Sequence, residues 1–175
     1  SKWHGYDGGR IKIDAGIYAE YTSNYKLWEG LVGYASEQEL GFQLHLSETQ
    51  NEVDSCLDRT GLTPAELLSC HGVFSVPVTA AGCACLTESD RALLGKKKAT
   101  AVACPLTAAK CGSPVTPVLD CVKSGMNVAL GTGGAIEAGN LDLFEVMRGV
   151  SMAARATAGD AAALPAPAAL MMATT

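Results

Sequence analysis

Two hydrophobic rhythms alternate along the chain. Ile11 to Ile17 (IKIDAGI) places apolar, β-branched side chains at alternate positions, which predicts a strand. Asn24 to Leu40 changes to a helical spacing, with Leu27, Leu31, Tyr34 and Ala35 on one face, and Gly41 ends it. Phe42 to Leu46 predicts the next strand. Thr49 to Glu52 (TQNE) has the form of a capping box opening a helix to about Arg59. Thr63-Pro64-Ala65-Glu66 has the same form, with proline at the first helical position. Val76–Ala81, Ala99–Ala103 and Asn127–Leu130 predict three further strands. Helices are predicted over Thr87–Gly95, Val115–Ser124, Leu141–Ala156 and the Ala-rich Leu164–Ala173. Asn140 is the expected N-cap of the long helix. Strand and helix alternating five times imply an α/β fold with a parallel sheet, and apolar residues on both sides of the strands imply helices covering both faces. No linker divides residues 1–175, so a single domain is expected.

Composition narrows the function classes. The chain is 48% hydrophobic and 18% charged, with net charge -5. That balance argues against a nucleic-acid or anionic-membrane partner. The only basic run, Lys96 to Lys98, suits a solvated helix end. No stretch reaches the ~20 apolar residues of a membrane-spanning helix, and no N-terminal secretory pattern is visible, although the chain starts at Ser1 rather than Met. Seven cysteines, an odd count lying in or beside apolar runs, favour buried thiols in a reducing cytoplasm over a disulfide framework. Packing in the core or an interface is the expected role of Trp3 and Trp28.

The chemistry-bearing stretch is QLHLSETQNEVD, Gln43 to Asp54. A histidine ends a strand, a glutamate follows three residues later, and a helix begins. This places a metal ligand and a proton carrier side by side. LHLSET is followed by AAGCACL (Ala80–Leu86), LGTGGA (Leu130–Ala135) and NLDLFEVMR (Asn140–Arg148). In order and spacing these resemble the amidohydrolase superfamily, in its branch of chlorohydrolases and adenosine-, guanine- and S-adenosylhomocysteine-type deaminases. The resemblance runs from about Ile11 to the C-terminus.

It implies a (β/α)8 barrel with a divalent metal, zinc or iron, at its C-terminal face. The metal is held by an H-x-H on the first strand, a histidine on the fifth and an aspartate on the eighth. By resemblance, His45 is the fifth-strand metal ligand and Glu48 the catalytic proton shuttle. Gly82 stands at the sixth-strand histidine, Cys85 at the second histidine of that motif, Ala103 at the seventh-strand histidine and Gly133 at the eighth-strand aspartate. The fourth-strand PHAPYT-like motif corresponds to Gly16–Thr22, with Tyr18 at its histidine. Tyr18 and Glu20 are candidate substrate-pocket residues, a turn being the alternative for Glu20 to Thr22. The H-x-H is absent. The expected architecture is therefore a partial TIM-type barrel, about five βα units corresponding to strands 4 to 8. A full barrel takes ~250 residues.

A catalytic zinc needs about three protein ligands besides water, and Gly133 offers none. The expectation is a fragment or degenerate member of a deaminase-like C–N hydrolase family, with no metal bound and no activity from this chain alone. The alternative is a non-enzymatic pseudoenzyme subunit. Open sheet edges and an apolar inner face lead to an expected partner: a second copy, or a complementary N-terminal half. Two further readings stand beside these. Cys83, Cys85 and Cys104 are either inert thiols or a zinc cluster with His45, and Gly131–Gly134 is either an inherited tight turn or a phosphate cradle.

Overall fold

The structure, a computed structural model, describes residues 2–174. A distorted turn, α1 (Tyr6–Gly9), leads into β1 (Ala15–Gly16), and α2 (Tyr25–Glu37) returns to β2 (Phe42–Leu46). Helices α3 (Gln50–Thr60) and α4 (Pro64–Cys70) precede β3 (Val78–Gly82). Then follow α5 (Glu88–Lys96), β4 (Thr100–Ala103), α6 (Pro105–Cys111), α7 (Val118–Lys123) and β5 (Asn127–Leu130). The chain ends with α8 (Ala135–Ala138), α9 (Leu143–Ala158) and α10 (Ala166–Thr174). The strands form one all-parallel sheet in the order β1-β2-β3-β4-β5.

Strict alternation along the strands decides the layering. Phe42, Leu44 and Leu46, with Val78, Ala80, Ala101, Ala103, Val128 and Leu130, are buried beneath the helices. Leu68, Leu94, Val146 and Val150 press on that face, forming the core. The other face carries two rows. Gln43, Thr79, Thr100 and Asn127 are mutual register partners, as are His45, Ala81, Val102 and Ala129. Among the described residues no helix covers this face, whose side chains are half-buried or exposed, so the expectation of cover on both sides is corrected. So is the expectation of an apolar inner face, because its lower row is polar. Asn127 Nδ2 donates to Thr100 Oγ1 at 3.2 Å, and Gln43 Nε2 donates to Asp14 Oδ2 at 2.8 Å.

The first predicted strand contracts to two residues. Upstream, His4 Nδ1 lies 3.1 Å from the carbonyl and 3.2 Å from the amide of Ile13, and in either tautomer it engages one backbone group that a longer ladder would use. Close approach fixes the residue at Gly16, where a Cβ would meet the Gln43 carbonyl oxygen at 2.8 Å. The long helix begins at Leu143, and its N-cap is Asp142, which accepts from the Phe144 amide at 2.8 Å; Asn140 instead accepts from the Asp142 amide. Trp28 is buried and donates to Ser23 Oγ, whereas Trp3 is about half exposed and meets Tyr6 edge-on. No helix among the described residues is long and apolar enough to cross a membrane.

Candidate functional site

The C-terminal ends of the strands converge on a cavity of about 430 Å³ that includes Tyr18, His45, Glu48, Cys104, Gly133 and Glu137 in its lining. His45 is the fourth residue of β2, on the uncovered face. Its backbone N–H donates to the Tyr18 carbonyl at 2.7 Å, and its Nδ1 lies 3.1 Å from the same oxygen. With Nδ1 protonated, Nε2 keeps its lone pair for a ligand or a proton. The Tyr18 ring lies over the imidazole, centroids 4.6 Å apart.

Glu48 is positioned by the carboxylate of Glu52, four residues further along the chain. Ser47 follows the strand with φ 47°, an uncommon conformation for a serine. Glu52 Oε1 accepts from the Ser47 amide and Oε2 from the Glu48 amide, both at 2.8 Å, fixing the loop that presents Glu48. Thr49 Oγ1 caps the helix by accepting from the Glu52 amide at 3.2 Å. The sequence pattern TQNE thus supplies half of a capping box, and its glutamate serves the catalytic-type loop instead. Burial pushes the Glu52 carboxyl above its usual range, against the lowering effect of those amide bonds.

Glu20 does not line the cavity. It is 1% exposed and its Oε1 accepts from Arg59 at 2.6 Å, beside a separate polar hollow that also contains Tyr21 and Glu52. Burial, followed by the charges of Tyr18, Glu52, Glu48 and Glu20, raises the Tyr21 hydroxyl pKa. Ala103 is fully buried, and its neighbour Cys104 reaches the cavity in its place. His4 and His71 are engaged elsewhere, with the Ile13 backbone and with Glu29.

The zinc-cluster alternative for the cysteines does not assemble. Cys83 is buried, with φ 55° and its thiol directed to the Ala80 carbonyl; Cys85 points to the Glu48 carbonyl. Burial raises the thiol pKa of Cys83, Cys85 and Cys104, which disfavours the thiolate. Nor does the Gly131–Gly134 turn suit phosphate, because the Glu137 carboxylate lies against Gly134. Among the described residues no group of three His, Cys, Asp or Glu side chains could hold a metal ion. Of the ligand positions that the resemblance assigns to this chain, 45 carries a histidine and 133 a glycine, which has no side-chain donor atom. The residues present do not fit the family's metal.

Sequence reasoning missed Glu52, which the capping pattern disguised. It also missed Thr107, whose Oγ1 donates to the Thr132 carbonyl at 3.0 Å beside Gly133. No local pattern marks that residue.

A sequentially ordered parallel sheet, with helices after the strands and polar side chains gathered at their C-terminal ends, is the architecture of part of a (β/α)8 barrel. The profile of the Amidohydrolase family matches residues 1–175. The 5-methylthioadenosine/S-adenosylhomocysteine deaminase of Pelotomaculum thermopropionicum is 36% identical over 173 residues, 99% of this chain and 40% of the relative. The 5'-deoxyadenosine deaminase of Methanothrix thermoacetophila is 35% identical, covering 99% of this chain and 41% of the relative. The crystal structure of an adenosine deaminase from Xanthomonas campestris with bound zinc superposes with a TM-score of 0.91 at 28% identity, over 97% of this chain and 39% of that one. The chain belongs to the amidohydrolase family, and it spans about 40% of the length of these curated relatives.

Proposed function

We propose that this chain is the C-terminal part of a deaminase-type amidohydrolase barrel, and that it has kept the ligand-facing wall of the site without the capacity to hydrolyse a C–N bond by itself. The family's zinc, when bound, would activate water for attack on an amino-bearing carbon. Here the chain's own residues do less. His45 presents Nε2 to the cavity, Tyr18 offers an aromatic face, and Glu48 can hold or pass a proton at a carboxylate oxygen. The observation that carries the reading is the pairing of His45 and Glu48, held in one cavity, with glycine at 82 and 133. Without a ligand set, the cavity serves binding or assembly, as a pseudoenzyme subunit would.

Completion of the barrel belongs to the same reading. β1 and β5 each have one strand neighbour, and the floor between them is uncovered. A complementary N-terminal half or a second copy would pair those edges. Light scattering distinguishes the two: a dimer of this chain supports the second copy, and a monomer supports the complementary half. Seven free cysteines agree with a reducing, cytoplasmic setting.

The decisive experiment is elemental analysis of protein grown with added zinc, together with an ammonia-release assay on 5'-deoxyadenosine and 5-methylthioadenosine. The expected result is far less than one zinc per chain and no ammonia above a protein-free control. Stoichiometric zinc with turnover would overturn the proposal.

A further inference from the structure

Two positions at which the family pattern carries functional side chains, 133 and 82, are not vacant space. Gly133 has φ 69°, and a Cβ there would fall on the Thr107 hydroxyl and lie 3.3 Å from Thr107 Cβ. That hydroxyl is engaged with the Thr132 carbonyl, closing the turn after β5 from the side of α6. Gly82 shows the same arrangement with a different neighbour. Its φ is 90°, and a Cβ would lie 3.0 Å from Glu48 Cβ and 3.3 Å from Glu48 Cα.

We infer that Thr107 fills the volume a side chain at position 133 would need, so that the turn requires glycine there and no single substitution can place a carboxylate at the end of β5. Two independent effects act on any such substitution. An L side chain at φ 69° is strained. To make room, Thr107 must also turn and release the Thr132 carbonyl, which loses its hydrogen bond. A carboxylate placed there would meet a further opposition from Glu137, whose own carboxylate lies against the adjacent Gly134. The description of position 133 as a lost ligand rests on the functional reading above. The steric exchange between Thr107 and Gly133 does not.

The test is a double-mutant cycle on thermal unfolding, followed by circular dichroism, with wild type, Gly133→Ala, Thr107→Ala and the double variant. Gly133→Ala should lower the midpoint by about 5 °C, and Thr107→Ala by less. The double variant should melt above the sum of the two losses, because removing the hydroxyl gives the new Cβ its space. Strict additivity, or an unchanged midpoint in Gly133→Ala, would overturn the inference. If Gly133→Ala does not fold, rescue by Thr107→Ala supports it and failure to rescue sinks it. Calorimetric titration of Gly133→Asp with zinc supplies a second reading: no uptake is expected, and one zinc per chain would overturn the inference. A failure of the hydrolysis reading would appear instead as zinc uptake by the wild type.

Discussion

The loop after β2 and the turn after β5 sit at the same end of the sheet, yet their backbones are held in different ways. The β2 loop is held from within. Glu52, on the helix that the loop leads into, grips the Ser47 and Glu48 amides with charge-assisted bonds. The β5 turn is held from outside, by a neutral hydroxyl on α6. The first loop presents His45 and Glu48 to the cavity; the second presents only backbone, that of Gly133 and Gly134. In the first loop the cavity side chain shares its wiring with the fold, so cutting the wire should cost stability as well as position. In the second, a neighbour closes the turn and fills the space beside Gly133.

The largest effect should follow cutting the internal wire. Glu52→Ala leaves two largely buried amides without a partner and should lower unfolding free energy by about 3 kcal/mol in urea titrations. A loss no greater than that of an exposed glutamate would erase the contrast between the two regions. Next, Arg59→Met leaves the buried Glu20 carboxylate without its cation. Complete burial of a pair would make that worth more, but Arg59 is half exposed, so about 2 kcal/mol is expected by the same titration. Third, Thr107→Ala removes one neutral hydrogen bond at the β5 turn and should cost about 1 kcal/mol. A Thr107 loss equal to that of Glu52 would show the two closures to be equivalent.

The smallest prediction concerns pH. The folded-state pKa of Glu52 is raised, chiefly by burial, above the ordinary value of 4.5. The folded state therefore binds the Glu52 proton more tightly than the unfolded chain does. Its protonation adds stability that is fully present below the unfolded value and is lost as pH rises through the folded one. Compared with Glu52→Gln, the wild type should gain stability as pH falls through that window. Parallel stability curves for the two proteins would show that the amide bonds cancel the effect of burial, and a loss of wild-type stability as pH falls would show that they outweigh it.

Much of the scaffold was legible in the residues. The strand at Phe42–Leu46 declares itself by alternation, and Thr63 to Glu66 forms the full reciprocal capping box that its pattern predicts. His45 and Glu48 were marked by their place between strand and helix. What stayed hidden depends on contacts distant in sequence. Ile11 and Ile13 alternate as a strand should, but only tertiary pairing decides that β1 ends up two residues long. The helix at Pro105–Cys111 was not predicted: seven residues offer too little periodicity to stand out. Alternation shows that Gln43 and Leu44 face opposite ways, and says nothing of whether helices cover both sides. Glu20 reads as part of a pocket motif until Arg59, thirty-nine residues on, draws it away from the cavity.

The shortness of β1 matters beyond the site. An unpaired strand edge is a row of amides and carbonyls that a stray chain can copy, and long rows nucleate aggregates. Two residues, one of them a glycine crowded against Gln43, offer almost nothing to copy. Such an edge gives a casual strand too little backbone to grip. Brevity thus protects the sheet at β1 without any covering element, a protection that the four-residue edge of β5 lacks.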